Sequence, residues 1–441
     1  MKTNIPHWTK AIFLSLLLFF CSFVASAEQY NIQDMDVTIH TSGEHTIFGN
    51  GNETTHSIKV LSSVTATITL KSVNINLSHT GGDPIDISDS GTPLDVTDGK
   101  CAFEIMPDAT VHLILEENNT LKSGMHRAGL QVPEGATLDI NGNGSLIAVG
   151  ATTYGAGIGG GRLSGNGAIT INGGTITATG GLEAAGIGSC NSYSSGAIII
   201  NGGTITATGG ILAVGIGGGG MAPAGTIVIN SGMVKGTIGT GFGHSEMINS
   251  LIIKGGNVAG PIYPNDLRPQ NGNGQAVYRT EINFSPALNI PVEFAQINNS
   301  TYPINSMTDN GKVYVWLPEG NYSAKQIVLT TQQNSYMNGQ VVWVSPDDNA
   351  SFTATYNGTD IRQVDASSVQ VRLAKQLLSV DSPEAEQVTV YSLSGTLLSK
   401  LEKQAGKASF ALASTNSVTG SAQALIVKGS SGWVKKLISN K

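Results

Sequence analysis

Cysteine, charge and aromatic rings are all scarce in this chain. Three cysteines in 441 residues exclude a disulfide framework, so stability has to come from regular hydrogen bonding and a long apolar core. Charged side chains make up 12% of the sequence, about half the usual quarter, which excludes an ordinary charged-surface cytosolic enzyme. The 24 basic and 31 acidic side chains give a net charge of −7 with no basic cluster, which speaks against nucleic acid or an anionic membrane as partner. Aromatics are 6% of the chain, and no histidine follows His244. There is no Gly-x-Ser-x-Gly elbow and no His/Cys metal spacing. Carboxylates are thin where the chain is longest: between Ile140 and Ile262 only Glu183 and Glu246 occur. The repeat described below sets them on well-separated coils, whereas a glycosidase holds its pair ~5–9 Å apart. A lyase would set calcium-binding carboxylates beside a base, yet Arg162, Lys235 and Lys254 have no acidic neighbour in sequence.

One apolar run stands out, Ala11 to Val24, preceded by Lys2 and Lys10 and closed by Ala25-Ser26-Ala27. These are the parts of a secretory signal, residues 1–27, cleaved near Ala27. The run is too short for a transmembrane span, and the bulky Phe20 before Cys21 disfavours a lipoprotein. The expected mature chain starts at Glu28, is secreted or held on the outer cell surface, and keeps Cys101 and Cys190.

Glycine is abundant, with 32 of its 56 copies between Ala151 and Gly260. From Gly167 the chain reads G-AITINGGTITATGG-LEAAGIGSC and from Gly196 it reads G-AIIINGGTITATGG-ILAVGIGGG, an offset of 29 residues. Asn172, Asn201 and Asn230 keep that spacing, as do Gly157, Gly186 and Gly215. Each copy holds three short alternating stretches, Ala168 to Ile171, Thr175 to Thr179 and Ala185 to Gly188 in the first, separated by glycine turns. Alternation with period two means strands, and three per repeat means one coil of a parallel β-helix. The expected fold is all-β: a right-handed parallel β-helix within 28–264, whose coils begin near Asp36, end near Pro264 and number about eight. The asparagines read as an internal amide ladder, each bonding the next coil. Cys101 and Cys190 fall about three coils, roughly 14 Å, apart, too far for a disulfide, whose Cα atoms lie within ~7 Å.

The run TITLKSVNINL, VHLILEENNTLKSG, AGLQVPEGATLDINGNGSLIAVG, AGIGGG and GAITINGGTITATGG, over about Val60 to Asn257, resembles the β-helical surface proteins of gut anaerobes (Bacteroidetes, Firmicutes) called carbohydrate-binding domain-containing. That resemblance implies extracellular polysaccharide binding, sometimes with calcium. In residues 275–372 glycine thins out and strands such as KVYVWLPEGNYSA and QVVWVSP suggest a small antiparallel β-sandwich. Residues 376–441, with VTVYSLSGTLLSK and ALIVKGSSGWVKKLISNK, form a second small β-module that resembles the C-terminal sorting domain of Bacteroidetes type IX secretion. That likeness implies a partner in the export machinery, although Gly420-Ser421-Ala422-Gln423-Ala424-Leu425 replaces the usual Gly-x-Tyr entry.

Two sets of candidate ligand-binding residues follow. Tyr154 and Tyr193 lie in loops flanking one strand row, where glycine-rich walls leave rings open for sugar stacking; loop aromatics also cap coil edges. Trp316 and Trp343 form a possible platform in the sandwich, where the plainer role is core anchor. For a metal, Asp83, Asp86 and Asp89 in GGDPIDISDSGTPLDVTDG can supply calcium oxygens, or simply serve turns in a solvated loop. No other cofactor is expected. The function expected is glycan binding or adhesion at the cell surface without catalysis. The alternatives are a calcium-dependent polysaccharide lyase or glycoside hydrolase, and a structural spacer with a protein partner.

Overall fold

The computed structural model describes residues 27–81, 98–243, 248–285, 287, 291–328, 334–336, 341–345, 350–355, 370–374, 377–382, 386–392, 397–404, 406–411, 424–429 and 434–438. Every helix or strand element among them is a strand. No helix among the described residues is long and apolar enough to cross a membrane.

Up to Tyr263 the strands wind through three parallel sheets, visited in the order A, C, B. Face A stacks nine strands, from Glu28–Asn31 to Ile248–Ile253. Face B stacks nine, from Val37–Ile39 to Ile262–Tyr263, and face C stacks seven, from Asn74–Asn76 to Asn257–Val258. The result is a parallel β-helix. It carries nine rungs on two faces where about eight coils are expected, because pairing already starts at Glu28.

Alternation explains each wall. In Thr175–Thr179 the threonines face out while Ile176 and Ala178 face in, and in Ala168–Ile171 the inward residues are Ile169 and Ile171. Equal sequence phase puts like on like: Ile169 pairs Ile198 and then Ile227, Ile187 pairs Ile216 and then Ile238, and Ala148 pairs Ala178 and then Ala207. Each coil thus adds large side chains on faces A and B, and one large and one small on face C. Burying one such isoleucine contributes ~1.5–3 kcal/mol, and the coils share one core from Ile32 to Val258.

The same register separates the cysteines. Cys101 precedes strand Phe103–Ile105 and Cys190 follows Ile187–Gly188, three pairings apart on face B. Both are buried and unbridged. Burial pushes the Cys101 thiol up to about 12, helped by the Glu104 charge, and burial likewise pushes Cys190 up to about 11. Since the thiolate is the reactive form, a chain starting at Glu28 should give almost no reaction with a thiol reagent at pH 8 when folded. The same chain, unfolded without reductant, should give two thiols. One bridged pair, seen as no titratable thiol, would contradict the register.

The end of the solenoid is covered by an eight-stranded sheet spanning Tyr278–Ser285 to Ser351–Thr355. Its pairings are antiparallel except that Tyr278–Ser285 runs parallel to Ser351–Thr355, a departure from the purely antiparallel expectation. Strand Lys312–Leu317 turns Val313, Val315 and Leu317 into this module's own core. Lys312, Tyr314 and Trp316 alternate to the other side, the side that meets the solenoid. The edge strand of face C, Asn257–Val258, is satisfied there. Asn257 Nδ2 donates to the Met307 carbonyl (3.0 Å), its Oδ1 accepts from the Tyr314 amide (2.9 Å), and the Gly256 amide donates to the Pro303 carbonyl (3.0 Å). Asn257 is fully buried. This is how the open edge of a β-helix escapes pairing with another chain.

Beyond it lie two further antiparallel sheets, three strands within Gln370–Ala411 and four from Glu386–Ser392 to Val434–Ile438.

Candidate functional site

Docking of the sandwich on the last coils leaves a cleft of about 270 Å³ between them. Its solenoid wall is the segment 260–269, which holds the last strand of face B and the turn after it, contributing Asn265 and Arg268. Its sandwich wall is the strand pair Tyr278–Ser285 and Lys312–Leu317, contributing Tyr278, Arg279 and Trp316. In that pair Arg279 stands opposite Trp316, so cross-strand register places a guanidinium beside an indole.

Each wall is held by hydrogen bonds that leave ligand-facing groups in place. Trp316 Nε1 donates to the Val258 carbonyl (3.1 Å), and Arg279 Nη1 donates to the Ala259 carbonyl (2.8 Å). The Arg279 guanidinium lies over the Tyr314 ring at 5.3 Å, and that of Arg268 over the Tyr278 ring at 6.0 Å, within reach of a cation–π contact. Arg268 Nη1 also donates to the Asn265 carbonyl (2.6 Å). Rigid rings and forked donors converging at a boundary between two modules are the usual make-up of a small-molecule site.

Trp316, expected as either a sugar platform or a core anchor of the sandwich, packs against the solenoid core rather than its own. The reason is alternation: it shares a face with Tyr314 and Lys312. Trp343 sits in strand Val341–Val344 opposite Asn321, and its side chain lies outside the described residues. Asp83, Asp86 and Asp89 also lie outside them, as does Glu246. Among the described residues no group of three or more His, Cys, Asp or Glu side chains is arranged to hold a metal.

The asparagines form a ladder: Asn172 Nδ2 donates to Asn141 Oδ1 (3.0 Å), Asn201 to Asn172 (2.8 Å) and Asn230 to Asn201 (2.7 Å). It is not internal. Each follows an inward isoleucine, so strict alternation turns it outward, and Asn172 and Asn201 are exposed. An amide that does point into the solenoid is Asn119, on face C.

Tyr154 and Tyr193 sit on different connections. Tyr154 lies in the turn before Ile158–Gly159 and Tyr193 in the loop after Ile187–Gly188, the latter 38% exposed. Tyr154 is half-buried with φ of +53°, its ring 6.0 Å from that of His126. It belongs to a charged cluster that sequence reading missed. His126 Nδ1 lies 3.0 Å from Asp98 Oδ1, and Arg127 reaches both Asp98 (3.4 Å) and Glu104 (3.6 Å). Arg162, without an acidic neighbour in sequence, lies 3.9 Å from Asp98. Lys235, likewise isolated in sequence, pairs Asp309 of the sandwich at 2.9 Å. Buried nearby, Gln131 Oε1 and Thr153 Oγ1 have no hydrogen-bond partner.

Comparisons with known proteins bear on the repeat alone. The beta helix repeat family matches residues 169–192 and 198–220, two successive coils of the solenoid. No curated protein matches the chain. Among solved structures, one that is similar is a DUF3823 family protein from Bacteroides ovatus ATCC 8483, at 10% identity and a TM-score of 0.19, covering 36% of this chain and 91% of that one. What these comparisons establish for this chain is a beta helix repeat within its solenoid.

Proposed function

We propose that this is an exported, surface-located glycan-binding protein, in which the solenoid is a rigid arm and the junction cleft holds the sugar. The observation that carries this reading is Trp316 lining a solvent-open cleft beside Tyr278 and two arginines. A pyranose offers an apolar face that stacks on such rings and hydroxyls that planar donors recognise. The signal-like residues 1–27 and the resemblance of residues 376–441 to a sorting domain support the location.

Retention of the chain on immobilised polysaccharides, with tryptophan emission followed on binding, tests this. Trp316→Phe should abolish most of the emission change, and Trp316→Ala should weaken binding about tenfold, the equivalent of ~1.4 kcal/mol. Retention of no glycan at all would favour the spacer reading.

Catalysis has one observation in its favour, the Asp98–His126 pair beside Arg127, Arg162 and Tyr154. An oriented imidazole of this kind is a general base in many enzymes. New reducing ends or unsaturated products from a bound glycan, lost in His126→Gln, would replace the binding-only reading with an enzymatic one.

A further inference from the structure

We propose that the junction cleft selects acidic glycans, with Arg268 and Arg279 receiving the anionic group of a sugar whose ring stacks on Trp316. This inference rests on the glycan-binding reading and adds the class of sugar.

The starting point is an imbalance of charge. The chain is acidic, at −7, and several of the cations in its solenoid and sandwich are matched, while Lys100, Lys122, Lys254, Arg268 and Arg279 make no ion pair among the described residues. Lys59, Lys71, Arg127, Arg162, Lys235 and Lys312 each reach a carboxylate. At the junction itself the two carboxylates on the facing surfaces are taken: Asp309 by Lys235 at 2.9 Å and Glu281 by Lys312 at 3.2 Å. Asp266, two residues before Arg268 in sequence, makes no ion pair with either arginine among the described residues. Arg268 and Arg279 therefore line the same cleft with no carboxylate in ion-pair range among the described residues.

Those guanidiniums are placed, not loose. Arg279 is fixed by the Ala259 carbonyl and the Tyr314 ring, and Arg268 by the Asn265 carbonyl and the Tyr278 ring. Each hydrogen bond uses Nη1, which leaves the other N–H groups of each fork for a ligand. A held fork matches a carboxylate or a sulfate in two parallel bonds and loses little entropy in doing so. In an acidic protein, two such forks beside an indole suit a ligand that brings negative charge on a ring. The cleft's volume of about 270 Å³ lies just below the ~300–1,000 Å³ usual for small-molecule sites, which suits a short stretch of a glycan chain.

The test uses the whole chain from Glu28 in affinity electrophoresis against polygalacturonate, the same polymer after carboxyl reduction, and a sulfated galactan beside its desulfated form. We expect retention on the acidic polymers, at least tenfold weaker retention on the reduced or desulfated partners, and weakening by salt. Arg268→Gln should lower affinity for the acidic polymers about tenfold and leave the weak binding to the neutral ones unchanged, with Arg268→Lys intermediate because it keeps the charge and loses the fork. Retention confined to one acidic polymer supports the inference and identifies the anion as carboxylate or sulfate. Equal retention of acidic and neutral partners would overturn the inference and leave glycan binding standing; retention of none would sink both. The comparison of native with carboxyl-reduced polymer needs no variant, so it decides the matter even if the Arg268 variants fold poorly.

Discussion

Replacing Gly188 by alanine should destabilise the solenoid by roughly 3–5 kcal/mol. Gly188 has φ of +143°, and a Cβ there would stand 2.0 Å from the Gly217 carbonyl oxygen. That oxygen belongs to the backbone of the next rung, so it cannot rotate away like a side chain. The neighbours repeat the constraint: a Cβ on Gly159 would meet the Gly188 oxygen at 2.0 Å, and one on Gly217 the Gly239 oxygen at 2.1 Å. Relief at one rung is therefore transmitted to the next. Backbone strain of ~1–3 kcal/mol and overpacking of ~1–3 kcal/mol act together here, and the midpoint of thermal unfolding should fall by about 10 °C. Two other glycines separate the causes. Gly51 has φ of +81° and nothing within 4 Å, so Gly51→Ala should cost only the ~1 kcal/mol of a left-handed alanine. Gly272 meets just the flexible Lys254 side chain at 3.7 Å, so Gly272→Ala should stay within about 0.5 kcal/mol. Equal melting temperatures for the Gly188 and Gly51 variants would show that the carbonyl contact is not limiting.

That column of glycines is the part of the molecule most legible from sequence. A 29-residue spacing with alternating isoleucines gives three walls, their order and the stacking of like on like, because one periodicity fixes both the face and the rung of each residue. Direction needs more care: Asn172 follows Ile171, which is inward, so the same period-two rule that found the ladder also turns it to solvent. The Asp98–His126 pair was within reach of the same reasoning. Its residues are 28 apart, as are Gly129 and Gly157, a spacing that stacks them on adjacent coils. The junction cleft was not. Trp316 and Arg279 come from a module without the repeat, Arg268 from the turn that ends the solenoid, and no spacing in one chain encodes how two modules dock. Side-chain alternation in Lys312–Leu317 told that Trp316 points away from Val315, and left open which surface it would meet.

Asn119→Leu should cost roughly 2–4 kcal/mol, although asparagine and leucine are close in size. Asn119 is 1% exposed and occupies an inward position of face C, in register with Leu146 and, beyond it, Ile176. An aliphatic residue would continue that column, so packing alone favours the substitution. Hydrogen bonding opposes it. Asn119 Oδ1 accepts from the Val73 amide (3.0 Å), while Nδ2 donates to the carbonyls of Glu116 (2.9 Å) and Ser145 (3.2 Å). These groups come from three successive coils, and the first belongs to the tight turn at Ser72, whose φ is +52°. The next coil keeps a tight turn at Glu117, with φ of +55°, and glycine-containing turns take over from Gly142 onward. A leucine would leave the buried Val73 amide without an acceptor, a loss of ~1–3 kcal/mol for one unsatisfied group, and would strip those carbonyls and that of Leu70 (3.4 Å) of their donor as well. Asn172→Leu removes two amide contacts of similar length at a surface where water replaces them, so its cost should be within about 0.5 kcal/mol. Denaturant unfolding of the two variants side by side measures the difference between an inward and an outward amide. If both lost the same stability, burial would not be what gives Asn119 its weight, and the assignment of the three coils to one shared hydrogen-bonding centre would fail.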